Sequence, residues 1–131
     1  MNNNVKIYLA RMYEFINDAL NICEAENNDY NKILKDKKNQ LAITMCLSQI
    51  GEFANLIRKV DEETYKKYKF SEPKGMRDRI IHGYGKIDFD IIKETVKTDL
   101  PNLKKIIEDN VKKDILDNPY KLYDRLTNDN K

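Results

Sequence analysis

Residues 75–88 read Gly-Met-Arg-Asp-Arg-Ile-Ile-His-Gly-Tyr-Gly-Lys-Ile-Asp and contain the chain's only histidine and two of its arginines. Arg77 is a permanent cation whose planar fork fits a phosphate. His82 gains and loses a proton near neutral pH. One group to move a proton and one to neutralise developing charge are what chemistry at a phosphoryl centre needs. Asp78 lies four residues before His82, on one face if the segment is helical, where it can orient the ring. Tyr84 adds a hydroxyl just past Gly83. The same residues also suit a purely structural part, in which the Arg, Asp and His cap carbonyls at a helix end and Gly83-Tyr84-Gly85 is a plain turn.

The elements that must position these groups follow from the local sequence. Ser71 followed by Glu72 and Pro73 is a helix start, and Gly83 is a natural stop, so a helix is expected over about 73–82. His82 would then sit at a helix C-terminus, where the helix field favours imidazolium and raises the pKa. That placement carries a geometric difficulty. Five residues apart on a regular helix, Arg77 and His82 lie about 140° apart around the axis and about 7.5 Å along it. A site using both needs either a deformed last turn or a second chain bringing its own copy, and a two-fold pairing of this segment would gather two arginines and two histidines in one cleft.

Around this segment the sequence is helical in period. Val5, Tyr8, Leu9, Met12, Phe15, Ile16, Ala19, Ile22 and Cys23 predict a helix over 4–26 that ends near Asn27-Asn28. Tyr30, Ile33 and Leu34 suit one short helical turn, and Lys35 to Lys38 read as solvated surface. Ile43, Cys46, Leu47, Ile50, Phe53, Ala54 and Ile57 predict a central helix over 39–59. Gly51 interrupts it at a cost of about 1 kcal/mol relative to Ala, and marks the close approach of a neighbouring backbone. Glu52 beside it is either a rim residue or a buried acid needing a partner. Asp61 caps a short helix through Tyr68. Asp88 starts a helix whose apolar face runs from Ile91 to Val111, with Pro101 forcing a kink or break near Lys97–Asp99. Asn118-Pro119 opens a last helix anchored by Leu122, Tyr123 and Leu126, and residues 127–131 fray.

Composition sets the outer limits. The chain has 131 residues, only 4 glycines and 3 prolines, too little turn punctuation for a sandwich or barrel. An all-α domain is expected, two long antiparallel helix pairs with shorter helices between them. Charge is balanced, 24 basic against 22 acidic residues, so composition neither demands nor excludes a nucleic-acid partner. Cys23 and Cys46 fall in apolar helical stretches and read as buried free thiols, with no disulfide framework and no metal quartet. No apolar run is long enough to span a membrane, and Met-Asn-Asn-Asn does not begin a signal peptide, so a reducing cytoplasm is the expected location.

Arg77, four residues, His82, one residue, Tyr84 resembles the Arg-x4-6-His-x-Tyr motif of the HEPN superfamily, and the chain resembles more narrowly its HepT-like branch. Three more elements agree in order and place. Ile50-Gly51-Glu52-Phe53-Ala54-Asn55 is similar to the branch's Gly-Glu-Ala-Ala-Asn/Lys segment, Gly75-Met76-Arg77-Asp78 to its Gly-Met/Leu-Arg-Asn/Asp lead-in, and Asp99-Leu100-Pro101-x-Leu103 to its Asp-Leu-Pro-x-Leu. The resemblance spans about residues 5–110. Many relatives carry a Trp on the helix after the motif, where this chain has Ile92.

The resemblance implies an up-and-down four-helix-type bundle with additional short helices, one HEPN-like domain over 1–131 with 112–131 a variable C-terminal extension. It implies a metal-independent endoribonuclease toxin without cofactors, a homodimer through the Arg77–Tyr84 region. Its partners would be an RNA substrate and a minimal nucleotidyltransferase antitoxin. Arg77 and His82 would be catalytic, with Asp78, Arg79 and Tyr84 supporting. Tyr84 is also the candidate acceptor of AMP that the antitoxin would transfer from ATP, a modification that would repel RNA by added negative charge. Arg79 and Lys86 are either holders of flanking phosphates or ordinary surface charge. The competing expectation is a non-catalytic interaction or regulatory module that binds a nucleotidyltransferase.

Overall fold

The computed structural model describes residues 2–70, 81–82 and 86–118. The fold is all-α, an up-and-down bundle carrying one very short β pairing. Helix α1 spans Asn3–Glu24, α2 Tyr30–Ile33, α3 Lys37–Val60 and α4 Glu62–Lys67. Strands β1 (Ile81–His82) and β2 (Lys86–Ile87) follow. Then come α5 (Phe89–Glu94), a π-helical turn over Thr95–Asp99, α6 (Leu100–Asn110) and α7 (Lys113–Asp117). The helix expected over 119–126 and the frayed end at 127–131 lie outside the described residues, as does the stretch 71–80 of the helix expected over 73–82.

The ends of these helices follow from side chains that compete for backbone groups. After α1, Asn27 and Asn28 take left-handed φ values of 55° and 57°. Both are asparagines, the residues other than glycine that tolerate this region best. Asp36 caps α3 by accepting from the N–H groups of Lys38 and Asn39. The lysine-rich turn read as mere surface thus contains a start signal, and α3 begins two residues earlier than its apolar stripe implied. Asp61 caps α4 through Thr64, accepting from both its N–H (3.1 Å) and its hydroxyl (2.7 Å).

Among the described residues the long helices α1 and α3 make the largest packing surface, and α1 also receives α6 and α7. Val5, Leu9, Met12, Ile16 and Ala19 of α1 meet Ile43, Leu47, Ile50, Ala54 and Ile57 of α3 in one core, all 0–1 % exposed. Each fully buried aliphatic side chain of this kind contributes about 1.5–3 kcal/mol. On one flank Phe53 gathers Tyr8 and Phe15, with ring centroids 6.2 Å apart in each case. The Arg11 guanidinium lies over the Phe15 and Phe53 rings and pairs with Glu14 at 2.7 Å.

Pro101 acts as its ring geometry requires. The break falls at Thr95–Asp99, where the Leu100 N–H reaches back five residues to the Thr95 carbonyl. The wider turn relieves the clash between the proline ring and the carbonyl four residues before it. Thr95 is buried, and its hydroxyl donates to the Ile91 carbonyl at 2.7 Å. Helix α7 was not foreseen from periodicity. At five residues it is too short to show a period, yet Leu116 is buried in the common core.

Candidate active site

Two anchors bracket the segment in which the chemistry-bearing residues lie. Upstream, α4 stops where Lys69 turns left-handed at φ 56°. Its N–H donates to the Lys66 carbonyl and the Phe70 N–H to the Tyr65 carbonyl, at 3.2 and 2.9 Å. This pair of bonds is a Schellman stop. Phe70 is then fully buried, its ring 5.7 Å from that of Tyr68. The Tyr68 hydroxyl donates to Asn110 Oδ1 at 2.8 Å, which ties this corner to α6. Downstream, the Asp88 carboxylate accepts from the N–H groups of Asp90 and Ile91 at 3.1 and 3.2 Å and opens α5. Ile92 is fully buried and serves the core.

Between these anchors the chain makes an antiparallel pairing, Ile81 opposite Ile87 and His82 opposite Lys86. This corrects the sequence expectation for His82. It stands on a strand and not at the end of a helix, so the argument for a raised pKa from a helix C-terminus loses its basis. The physical reason is local. Ile81 and Ile87 are β-branched and favour extended backbone. The three-residue connection 83–85, with its two glycines, has the length of a hairpin link. Pairing with the chain beyond Gly83 outcompetes one more helical turn. Arg77, Asp78, Arg79 and Tyr84 lie outside the described residues.

Elsewhere the ionisable interior is structural. Cys23 and Cys46 are buried free thiols. Burial, with Asp18 nearby, pushes the Cys46 thiol up to about 11, and burial raises Cys23 as well. Thiols so far from ionising are poor nucleophiles and poor metal ligands. Burial also raises the Tyr13 phenol, with Glu108, which accepts from its hydroxyl at 3.1 Å, acting in the same direction. Glu52 is half-buried and not without a partner, which places it between the rim residue and the buried acid expected for it. Among the described residues no three His, Cys, Asp or Glu side chains gather in a way that could hold a metal ion.

The family model for "Ribonuclease HepT-like" matches residues 8–109, from α1 through the hairpin to α6. The chain belongs to the HepT-like ribonuclease family. Within this family it is 33% identical over 109 residues to "Putative RNase MJ1216" of Methanocaldococcus jannaschii, covering 83% of this chain and 88% of that protein. It is 32% identical over 109 residues to "Putative RNase MJ0125" of the same organism, covering 83% of this chain and 92% of the relative. "Probable ribonuclease HepT" of Thermococcus cleftensis is 32% identical over 93 residues, 70% of this chain and 84% of its own. No solved structure matches the chain. The HepT-like span includes both anchors and everything between them. Among the described residues no helix is long and apolar enough to cross a membrane.

Proposed function

We propose that this HepT-like chain is a metal-independent endoribonuclease, the toxin of a pair whose antitoxin is a minimal nucleotidyltransferase, and that it works in the cytoplasm as a homodimer. The observation that carries the reading is the position of His82 on a strand pairing that leads directly into the Asp88-capped α5, inside the span that matches a ribonuclease family. RNA brings its own nucleophile, the 2'-hydroxyl, so the reaction does not require a metal-bound water. The 2'-oxygen attacks the adjacent phosphorus, the bond to the 5'-oxygen breaks, one proton leaves the 2'-oxygen and one arrives at the 5'-oxygen. His82 handles a proton in this exchange. Arg77 neutralises the added charge on the five-coordinate phosphorus. The products are a 2',3'-cyclic phosphate and a 5'-hydroxyl, and DNA is not cut.

Asp78 and Arg79 support the pair, as does the Tyr84 hydroxyl when it is unmodified. Transfer of AMP from ATP to the Tyr84 oxygen by the antitoxin, with pyrophosphate leaving and the phenol proton lost, sets a phosphate beside the cleft and repels the RNA backbone. The homodimer brings two copies of the Arg77–Tyr84 region together. The test is RNA cleavage in excess EDTA by the wild type and by His82→Ala. Cleavage by the wild type alone, with cyclic phosphate ends, is expected. No cleavage of any RNA class by the unmodified protein would favour the regulatory module that binds a nucleotidyltransferase.

A further inference from the structure

We infer that Asp88 is a positioning residue for His82, its cap on α5 holding the strand pairing in which the His82 backbone takes part. The inference rests on the proposed role of His82 only in its cleavage readout. The pairing is two residues deep, Ile81 opposite Ile87 and His82 opposite Lys86. A lone two-stranded pairing is marginal in water even at greater length. The His82 backbone therefore keeps one place only if a flank of the pairing is fixed. Downstream the connection to the core is immediate. Strand β2 ends at Ile87, and Asp88 follows with φ -90° and ψ 101°, an extended backbone that carries the strand up to the first residue of α5.

Asp88 makes three bonds into that helix. Its carboxylate accepts from the N–H groups of Asp90 and Ile91 at 3.1 and 3.2 Å, and its carbonyl accepts from the N–H of Ile92 at 3.2 Å. Ile92 is 0 % exposed and belongs to the common core. One residue thus joins the buried part of α5 to the ladder. Helix α5 has only six residues, so loss of its first-turn bonds is felt along most of its length. A loose exit lets the ladder move, and a group that transfers a proton must be held within about 0.5 Å of its working position. The cap works by accepting N–H bonds, which asparagine does about as well as aspartate and alanine does not. Negative charge at residue 88 is not what this role needs.

The chain has one histidine, so protein labelled with ¹⁵N-histidine gives a single backbone amide signal by NMR, that of His82. This signal is recorded for wild type, Asp88→Ala and Asp88→Asn, with kcat and KM for RNA cleavage measured in parallel. In Asp88→Ala the signal is expected to shift towards the position of an unstructured chain. The same variant is expected to lose kcat by up to about a hundredfold while KM stays near the wild-type value. Asp88→Asn is expected to restore the signal and kcat. Asp88→Gly, which accepts no N–H bond yet costs a helix start little, replaces Asp88→Ala if the latter loses helicity outside α5. An unchanged His82 signal in Asp88→Ala would overturn the assignment. So would Asp88→Asn behaving as Asp88→Ala does, since charge and not the cap would then be responsible. A His82 signal that depends on the cap, in a protein whose wild type cuts no RNA, would refute the nuclease reading and leave the hold on His82 standing.

Discussion

His82 has its backbone held by a ladder partner and not by helical hydrogen bonds. His82→Ala is therefore expected to abolish RNA cleavage while circular dichroism and melting temperature stay at wild-type values. Retained cleavage, or loss of helicity, would remove His82 from the proposed mechanism. The thiols give the opposite case, reactive atoms placed where they cannot react. With the Cys46 thiol pushed up to about 11 and Cys23 also raised and buried, neither forms appreciable thiolate at neutral pH. A thiol reagent at pH 7–8 should modify neither cysteine in the native protein and both after denaturation, read as intact mass. Rapid native labelling would show that the α1–α3 seam opens readily.

Short elements here depend on their caps more than on their own length. Helix α5 has six residues, and Asp88 both starts it and ends the hairpin that carries His82. Asp88→Ala should cost about 1 kcal/mol and lower cleavage further than that loss explains, because the strand pairing is released at its downstream end. A chemical melt alongside initial cleavage rates checks both parts. Asp61 gives a prediction in pH. Its hydrogen bonds to the Thr64 hydroxyl and N–H hold its carboxyl below the usual carboxylate range. A depressed folded pKa means that the stabilisation is present above the unfolded value, near 3.9, and is lost as pH falls through the folded one. Wild type should melt above Asp61→Ala at pH 7, and the gap should close in strong acid. A gap independent of pH would mean that Asp61 acts by something other than its charge.

At the scale of the whole molecule the α1–α3 seam holds the bundle together, and Ile50 is at its centre with 0 % exposure. Ile50→Ala leaves a cavity between two long helices that cannot both close around it. The expected loss is about 2–5 kcal/mol, a fall in melting temperature on the order of 10 °C, seen by calorimetry. A loss under about 1 kcal/mol would mean that the seam repacks. The proposed homodimer is also a property of this scale. Light scattering at micromolar concentration should give twice the chain mass, and a fully active monomer would refute it.

The apolar stripes of α1 and α3, the caps at Asp61 and Asp88 and the break before Pro101 were all legible in the sequence, because each depends on residues within a few positions of one another. The order of motifs around Arg77, His82 and Tyr84 likewise identified the family before any fold was known. The state of His82 was not legible in that way. Whether a short segment ending in Gly83 continues as helix or pairs as strand depends on what lies opposite it, and only the folded chain sets Lys86 there. The same holds for α7, whose five residues have no readable period until Leu116 finds its place against α1. Local sequence determined which residues could do chemistry and which elements would carry them. Tertiary structure decided which residue pairs with the histidine in the ladder, because register is a relation between two strands and neither contains it alone.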